Sequence, residues 1–252
     1  MPPIALALLL TTLAGLATTL GAAIAWLVRR PGPTFMALTL GFSAGVMLYV
    51  SFVELLAAGI EGIGLVRSQV WFFVGVGAML LVDMLIPHSY QGEADPGMGV
   101  KDARLLRTGL FVALGVGIHN FPEGLATFAA TLSSVELGGA IAVTVAIHNI
   151  PEGIAVSAPI YAATGSRKKA FWWSFLSGLA EPVGAGAAAV VLLPFLSPGV
   201  LGALLALVAG FMVFIALDEL LPASHAFGRE HLTIVGVILG MAAMAISLAA
   251  LT

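Results

Sequence analysis

His119-Asn120-Phe121-Pro122-Glu123-Gly124 and His148-Asn149-Ile150-Pro151-Glu152-Gly153 carry the same functional side chains, in the same order, twice. Imidazole and carboxylate together are the ligand set of a divalent transition metal. Positions three and four apart share a helix face, so Glu123 stands beside Asn120 and His119, and Glu152 beside Asn149 and His148. Both motifs, and a third acid at Glu181, lie inside long apolar runs without a basic neighbour. A carboxylate in such surroundings needs a proton or a bound cation to neutralise it. The pattern points to a cation site inside a membrane.

Depth supports the pairing. His119 and His148 each fall about 12 residues into their runs, roughly 18 Å from opposite membrane faces, so antiparallel partners meet near the midplane. The simplest assembly puts His119, Glu123, His148 and Glu152 around one cation, with Asn120 and Asn149 beside a second position that shares the glutamates. Pro122 and Pro151 each free the carbonyl four residues earlier, at Ile118 and Ile147, and Gly124 and Gly153 allow another helix to approach closely. Glu181-Pro182 repeats the design, with Gly178 as the freed carbonyl. Met47 reaches the same depth as a thioether ligand, although packing alone would account for it. Glu54, with Ser51 one turn below it, and the pair Asp218 and Glu219 fall near opposite ends of their runs, where they mark a transport path. Asp83 and His88 read as a solvated interfacial pair, the alternative being a role in metal exit.

The elements that must position these groups follow from composition. The 252 residues are 60% hydrophobic and only 9% charged, which excludes a water-soluble domain. Cysteine is absent, so disulfides and thiolate ligands are excluded. The net charge of −3 is confined to connectors and to the site, and no nucleic-acid partner is implied. Apolar runs of about 20 residues, long enough to cross a core of about 30 Å, occur near 4–28, 35–59, 69–87, 107–131, 136–162, 169–193, 199–222 and 232–251. The expected fold class is an all-α integral membrane protein with eight transmembrane helices, in one domain spanning 1–252. The start, Met1-Pro2-Pro3, lacks a basic stretch, so no cleaved leader is expected. Arg29 and Arg30, Lys101, Arg104 and Arg107, Arg167, Lys168 and Lys169, and Arg229 follow alternate runs; only Arg67 falls on the other side. The positive-inside rule makes those connectors cytoplasmic, the longest being a flexible loop over 88–106, and puts both termini outside the cytoplasm. Trp26, Trp71, Trp172 and Trp173 sit near run ends, as interfacial anchors do.

Self-similarity orders the helices. Gly15-Leu16-Ala17-Thr18-Thr19-Leu20-Gly21-Ala22 in the first run matches Gly178-Leu179-Ala180-Glu181-Pro182-Val183-Gly184-Ala185 in the sixth, and the segment from Ala44 to Leu56 in the second matches that from Ala209 to Leu221 in the seventh. The matched runs cross in opposite directions. The chain is therefore expected to be an inverted repeat of helices 1–3 and 6–8 around a central antiparallel pair, 4 and 5, an architecture typical of secondary transporters. Glu181 replaces Thr18 of the matching segment, as an acquired functional acid would.

With these motifs in place, the chain resembles the ZIP family of divalent metal transporters, and within it the bacterial zinc-uptake branch. The likeness spans the whole chain and rests on the two His motifs and on Gly178-Leu179-Ala180-Glu181-Pro182-Val183-Gly184-Ala185. It implies a binuclear centre, with one metal on His119, Glu123, His148 and Glu152, and another on Asn120, Asn149 and Glu181 together with the two shared glutamates. It also places Met47 where some members line the first metal. It implies movement of the site-bearing helices against a scaffold containing the second and seventh, within a homodimer in the bacterial inner membrane. A histidine-rich cytoplasmic loop found in many eukaryotic members is absent. The expected function is import of Zn²⁺, and also of Fe²⁺, Mn²⁺, Co²⁺ or Cd²⁺, as transported substrate with no cofactor. Two rivals use the same residues: an intramembrane metal-dependent enzyme, and a proton or sodium pathway on the glutamates alone. The first lacks an HExxH or Glu-x-x-His motif, and the second leaves both histidines and both asparagines unexplained.

Overall fold

In lipid every backbone N–H and C=O must be satisfied within the chain, and each apolar run does so as a helix. The computed structural model describes residues 3–27, 32–85, 100–192 and 197–251. These form α1 (Pro3–Leu27), α2 (Pro33–Ile63), α3 (Leu65–Leu85), α4 (Val100–Ser133), α5 (Val135–Thr164), α6 (Arg167–Ala187), α7 (beginning as Pro198–Ile215 and running on to His225) and α8 (Glu230–Leu251). No strand occurs among the described residues. Pro33 and Pro198 open their helices at the first turn, where a missing N–H costs nothing. Ser166 and Ser197 cap α6 and α7 through the amides of Lys169 and Val200. Among the described residues six helices are long and apolar enough to cross a membrane; α4 and α6, which carry polar residues of the site, are the two that are not.

Boundaries differ from the sequence reading where a single glycine makes the turn. Gly64, at φ 82°, is the whole connector between α2 and α3, so α2 extends to Ile63 and Arg67 stands on the first turn of α3. The connector expected over 88–106 is shorter, because Lys101, Arg104 and Leu105 already belong to α4 and Leu105 is buried. The remainder of that loop, with His88, lies outside the described residues, as do Arg29 and Arg30.

Two bundles result. Helices α1, α4, α5 and α6 pack on one another and hold both His motifs and Glu181; α2 packs on α8 and α3 on α7, with α2 also against α7. The bundles meet where α2 faces α5 and α4 faces α7. A pseudo-two-fold exchange relates the whole: α1 with α6, α2 with α7, α3 with α8, and α4 with α5.

Glycine packing shows how closely the exchange is kept. A Cβ on Gly45 would overlap the Val237 carbonyl, and one on Gly210 the Phe72 carbonyl. A Cβ on Gly75 would overlap the Leu207 carbonyl, and one on Gly240 the Phe42 carbonyl. Each contact is the other's counterpart when α2 and α3 are aligned with α7 and α8. Around the site the same holds for Gly124 against the Glu181 carbonyl and Gly153 against the Thr18 carbonyl, and for Gly21 against Ile150 and Gly184 against Phe121. Gly15 and Gly178 face each other's carbonyls at 2.7 and 2.5 Å from the Cβ each would carry. The inverted repeat is thus a property of the packing, and α4 and α5 obey it too. The repeat also shares a feature the sequence did not reveal: a π-helical turn at Ser51–Leu55 in α2 and its counterpart at Ala216–Leu220 in α7.

Overpacking a close helix crossing costs about 1–3 kcal/mol, whereas Gly→Ala in an open helix interior gains up to about 1 kcal/mol. Gly153→Ala and Gly124→Ala are therefore expected to lower the thermal unfolding midpoint in detergent. Gly77→Ala and Gly186→Ala, where nothing lies within 4 Å, are expected to hold or raise it.

Candidate metal centre

The exchange brings α4 and α5 together antiparallel, so each His meets the Glu of the other helix. His119 Nε2 lies 3.0 Å from Glu152 Oε1, and His148 Nε2 lies 2.8 Å from Glu123 Oε1. With the proton on Nε2, each ring donates to a carboxylate and keeps an open lone pair on Nδ1. All four side chains are buried, Glu123 at 3% exposure being the most accessible. They stand as two His–Glu pairs. Among the described residues they do not form a set of three acid or imidazole side chains with ligand atoms all within 4.8 Å of one another.

The asparagines anchor the centre to the flanking helices. Asn149 Nδ2 donates to the Ala14 carbonyl of α1 at 2.9 Å and to Glu181 Oε2 of α6 at 2.8 Å. Asn120 Nδ2 donates to the Ser177 carbonyl of α6 at 3.3 Å, the exchange counterpart of the Ala14 contact. Glu181, fully buried, lies within electrostatic reach of Glu123, Glu152 and His148. Seven buried atoms of these residues have no partner: Nδ1 of His119 and His148, Oδ1 of Asn120 and Asn149, Oε2 of Glu123 and Glu152, and Oε1 of Glu181. Unpaired buried acceptors cost about 1–3 kcal/mol each, so a cluster of seven is an environment that favours a cation. All seven are oxygen or imidazole nitrogen, the donor set of Zn²⁺ and its neighbours.

The residues named for the path divide. Glu54, on the π turn of α2, has a buried unpartnered Oε2 and lies within electrostatic reach of His148 and Glu123. Ser51 is fully buried, but its hydroxyl is taken by the Met47 carbonyl at 2.6 Å. Met47 itself is fully buried in the large apolar core spanning both bundles, alongside Met36, Leu40 and Met212. Asp218 and Glu219, on the π turn of α7, join Asp83 of α3 within 4.8 Å and line a cavity of about 220 Å³ with Arg107 and Thr108. Asp83 thus corrects the sequence reading: it is buried, 3.9 Å from the Arg107 guanidinium, because the α3–α7 crossing and the start of α4 close over it. Its place among the intramembrane acids was the available signal. The trio could not be read from sequence, since it joins two helices, α3 and α7, far apart in the chain.

A helical membrane protein with exchange-related halves, enclosing a polar centre on two antiparallel helices, belongs to the class of secondary transporters in architecture. A family model described as ZIP Zinc transporter matches residues 86–248, and the chain belongs to that family. It is 48% identical over 258 residues to a protein named zinc transporter ZupT from Corynebacterium aurimucosum, covering 98% of this chain and 97% of the relative. A protein of the same name from Chlorobium phaeovibrioides is 53% identical, covering 96% of each chain. Another from Nitratidesulfovibrio vulgaris is 50% identical, covering 95% of this chain and 94% of the relative.

The asparagines give a test in metal-free protein. Asn149→Ala strands the Glu181 carboxylate as well as a carbonyl contact, whereas Asn120→Ala loses one longer bond. The first is expected to destabilise by about 1–3 kcal/mol and the second by about 1 kcal/mol, read as unequal shifts of the unfolding midpoint.

Proposed function

We propose that this chain imports divalent transition-metal ions, Zn²⁺ foremost, by alternating access through a binuclear centre. One ion takes His119, Glu123, His148 and Glu152; the other takes Asn120, Asn149 and Glu181 with the two shared glutamates, and Met47 lines the first. The single observation carrying this reading is the set of seven unpartnered buried acceptors converging from α4, α5 and α6. A dication would replace the two His–Glu hydrogen bonds and draw the two pairs into one shell. The zinc named for the relatives agrees with a nitrogen and oxygen donor set.

The path runs from Ser51 and Glu54 at the outer mouth, through the centre, to Asp218 and Glu219, joined by Asp83, at the cytoplasmic mouth. This orientation follows the basic connectors and puts both termini outside the cytoplasm of a bacterial inner membrane. The bundle of α1, α4, α5 and α6 moves against α2, α3, α7 and α8, the protein works as a homodimer, and the metal is cargo, so no catalytic step or cofactor is needed.

Uptake of labelled Zn²⁺ into proteoliposomes tests the assignment. Glu152→Gln and His119→Ala are each expected to reduce uptake to background while the protein still inserts; undiminished uptake in both sinks it. Ligating His and Glu must be free of protons, so acid competes with the metal. Apparent Zn²⁺ affinity is expected to fall on acidification from pH 7.5 to 5.5, by up to about tenfold per pH unit for each proton displaced, and a flat profile contradicts direct ligation.

A further inference from the structure

The exchange of α1 with α6 sets Thr18 in the place that Glu181 holds in the other half. The geometry points to Thr18 as a further residue of the metal centre, a neutral oxygen donor that leaves the second cation position one carboxylate short of its symmetric form. The inference rests on the reading of the centre as a metal site.

Placement is the first support. A Cβ on Gly178 would meet Thr18 Cβ at 2.9 Å and Oγ1 at 3.2 Å, while one on Gly15 would meet Glu181 Cβ at 3.1 Å. The Thr18 carbonyl packs on Gly153 as the Glu181 carbonyl packs on Gly124. Thr18 therefore leaves α1 where Glu181 leaves α6, on the side of the bundle that holds the asparagines.

The second support is the hydroxyl itself. Thr18 is 0% exposed and its Oγ1 has no partner. Thr11, Thr131 and Thr164 back-bond to the carbonyl four residues earlier, at Ala7, Thr127 and Ile160, whereas the Thr18 hydroxyl, like those of Thr19 and Thr127, does not. For Thr18 that acceptor is Ala14, whose carbonyl already serves the helix ladder and accepts from Asn149 Nδ2 at 2.9 Å. A ligand of the centre thus takes the acceptor that the hydroxyl would otherwise use. Asn120 Oδ1, on the helix that exchanges with that of Asn149, is unpartnered as well.

Charge gives the consequence. Two dications bring four positive charges and Glu123, Glu152 and Glu181 return three; a fourth carboxylate at Thr18 would complete neutralisation. Ligand charge count tunes cation affinity, and an alcohol coordinates while leaving the ion exchangeable. Thr18 thereby weakens retention of the second ion, which suits a carrier.

The test uses the full chain, purified and in proteoliposomes, with Zn²⁺ bound per chain measured by equilibrium dialysis beside uptake. Thr18→Val keeps the shape and is expected to weaken the second ion about fivefold to tenfold without moving the metal-free unfolding midpoint, with Thr18→Ser restoring binding. Thr18→Glu is expected to tighten the second ion at least about tenfold and to slow uptake. Wild-type binding of both ions by Thr18→Val and Thr18→Glu overturns the proposal; should Thr18→Glu not fold, Thr18→Val and Thr18→Ser decide. Glu152→Gln separates the levels: loss of the tight ion supports the centre whatever Thr18 does, and its retention at wild-type affinity removes the centre and the proposal together.

Discussion

Three carboxylates and two imidazoles packed into one buried cluster, with no guanidinium or ammonium among the described residues paired to them, set the terms for everything else in this molecule. Each His–Glu hydrogen bond uses one oxygen and one nitrogen, leaving the other half of each group unanswered. In a low-dielectric interior such a half-satisfied network is costly, and it persists only if the surrounding helices hold it in place. Arg107 lies 3.9 Å from Asp83 at the end of α3. Under the proposed function, a mobile cation rather than a fixed basic side chain would fill the deficit inside the centre.

Holding the network is the work of the exchange symmetry. Because Gly124 and Gly153 admit the carbonyls of Glu181 and Thr18, α6 and α1 clamp α4 and α5 from opposite sides at almost backbone contact. That closeness lets Asn149 reach Ala14 and Asn120 reach Ser177, tying the central pair to its clamps. Departures from symmetry then stand out against it. Glu181 faces Thr18, Asp218 corresponds to Val53, and Ser51 to Ala216, and every one of these positions lies at the centre or on one of the matched π turns of α2 and α7. Close packing accounts for the symmetric glycines, and the proposed cation for the exceptions.

Much of this was legible in the chain. The twin His motifs picked out the side chains that the structure joins in two His–Glu pairs, since identical spacing on antiparallel helices must converge, and the Gly15 and Ala44 segments announced the repeat. Three things were not legible. The π turns leave no mark in hydropathy, because a single extra residue in an apolar run changes no pattern. Asp83 looked interfacial because its burial depends on α4 and α7, far away in sequence. For Met47 and Ser51, a depth read from run length does not say that the Ser51 hydroxyl turns back to the Met47 carbonyl.

The paired π turns connect the symmetry to movement. A π turn admits one extra residue, so side chains beyond it are rotated relative to an unbroken helix, and such turns recur at functional sites. Here both turns bear a glutamate, Glu54 and Glu219, and each packs against the matching helix of the other repeat, Ser51–Leu55 on α7 and Ala216–Leu220 on α2. The same local device yet meets two surroundings. Glu54 is turned toward His148 and Glu123, whereas Glu219 opens with Asp83 and Asp218 onto a cavity of about 220 Å³. The exchange-related halves thus differ in what surrounds their π-turn glutamates, and under the proposed carrier reading a second conformation would trade those surroundings while the glycine contacts within each bundle stay as they are.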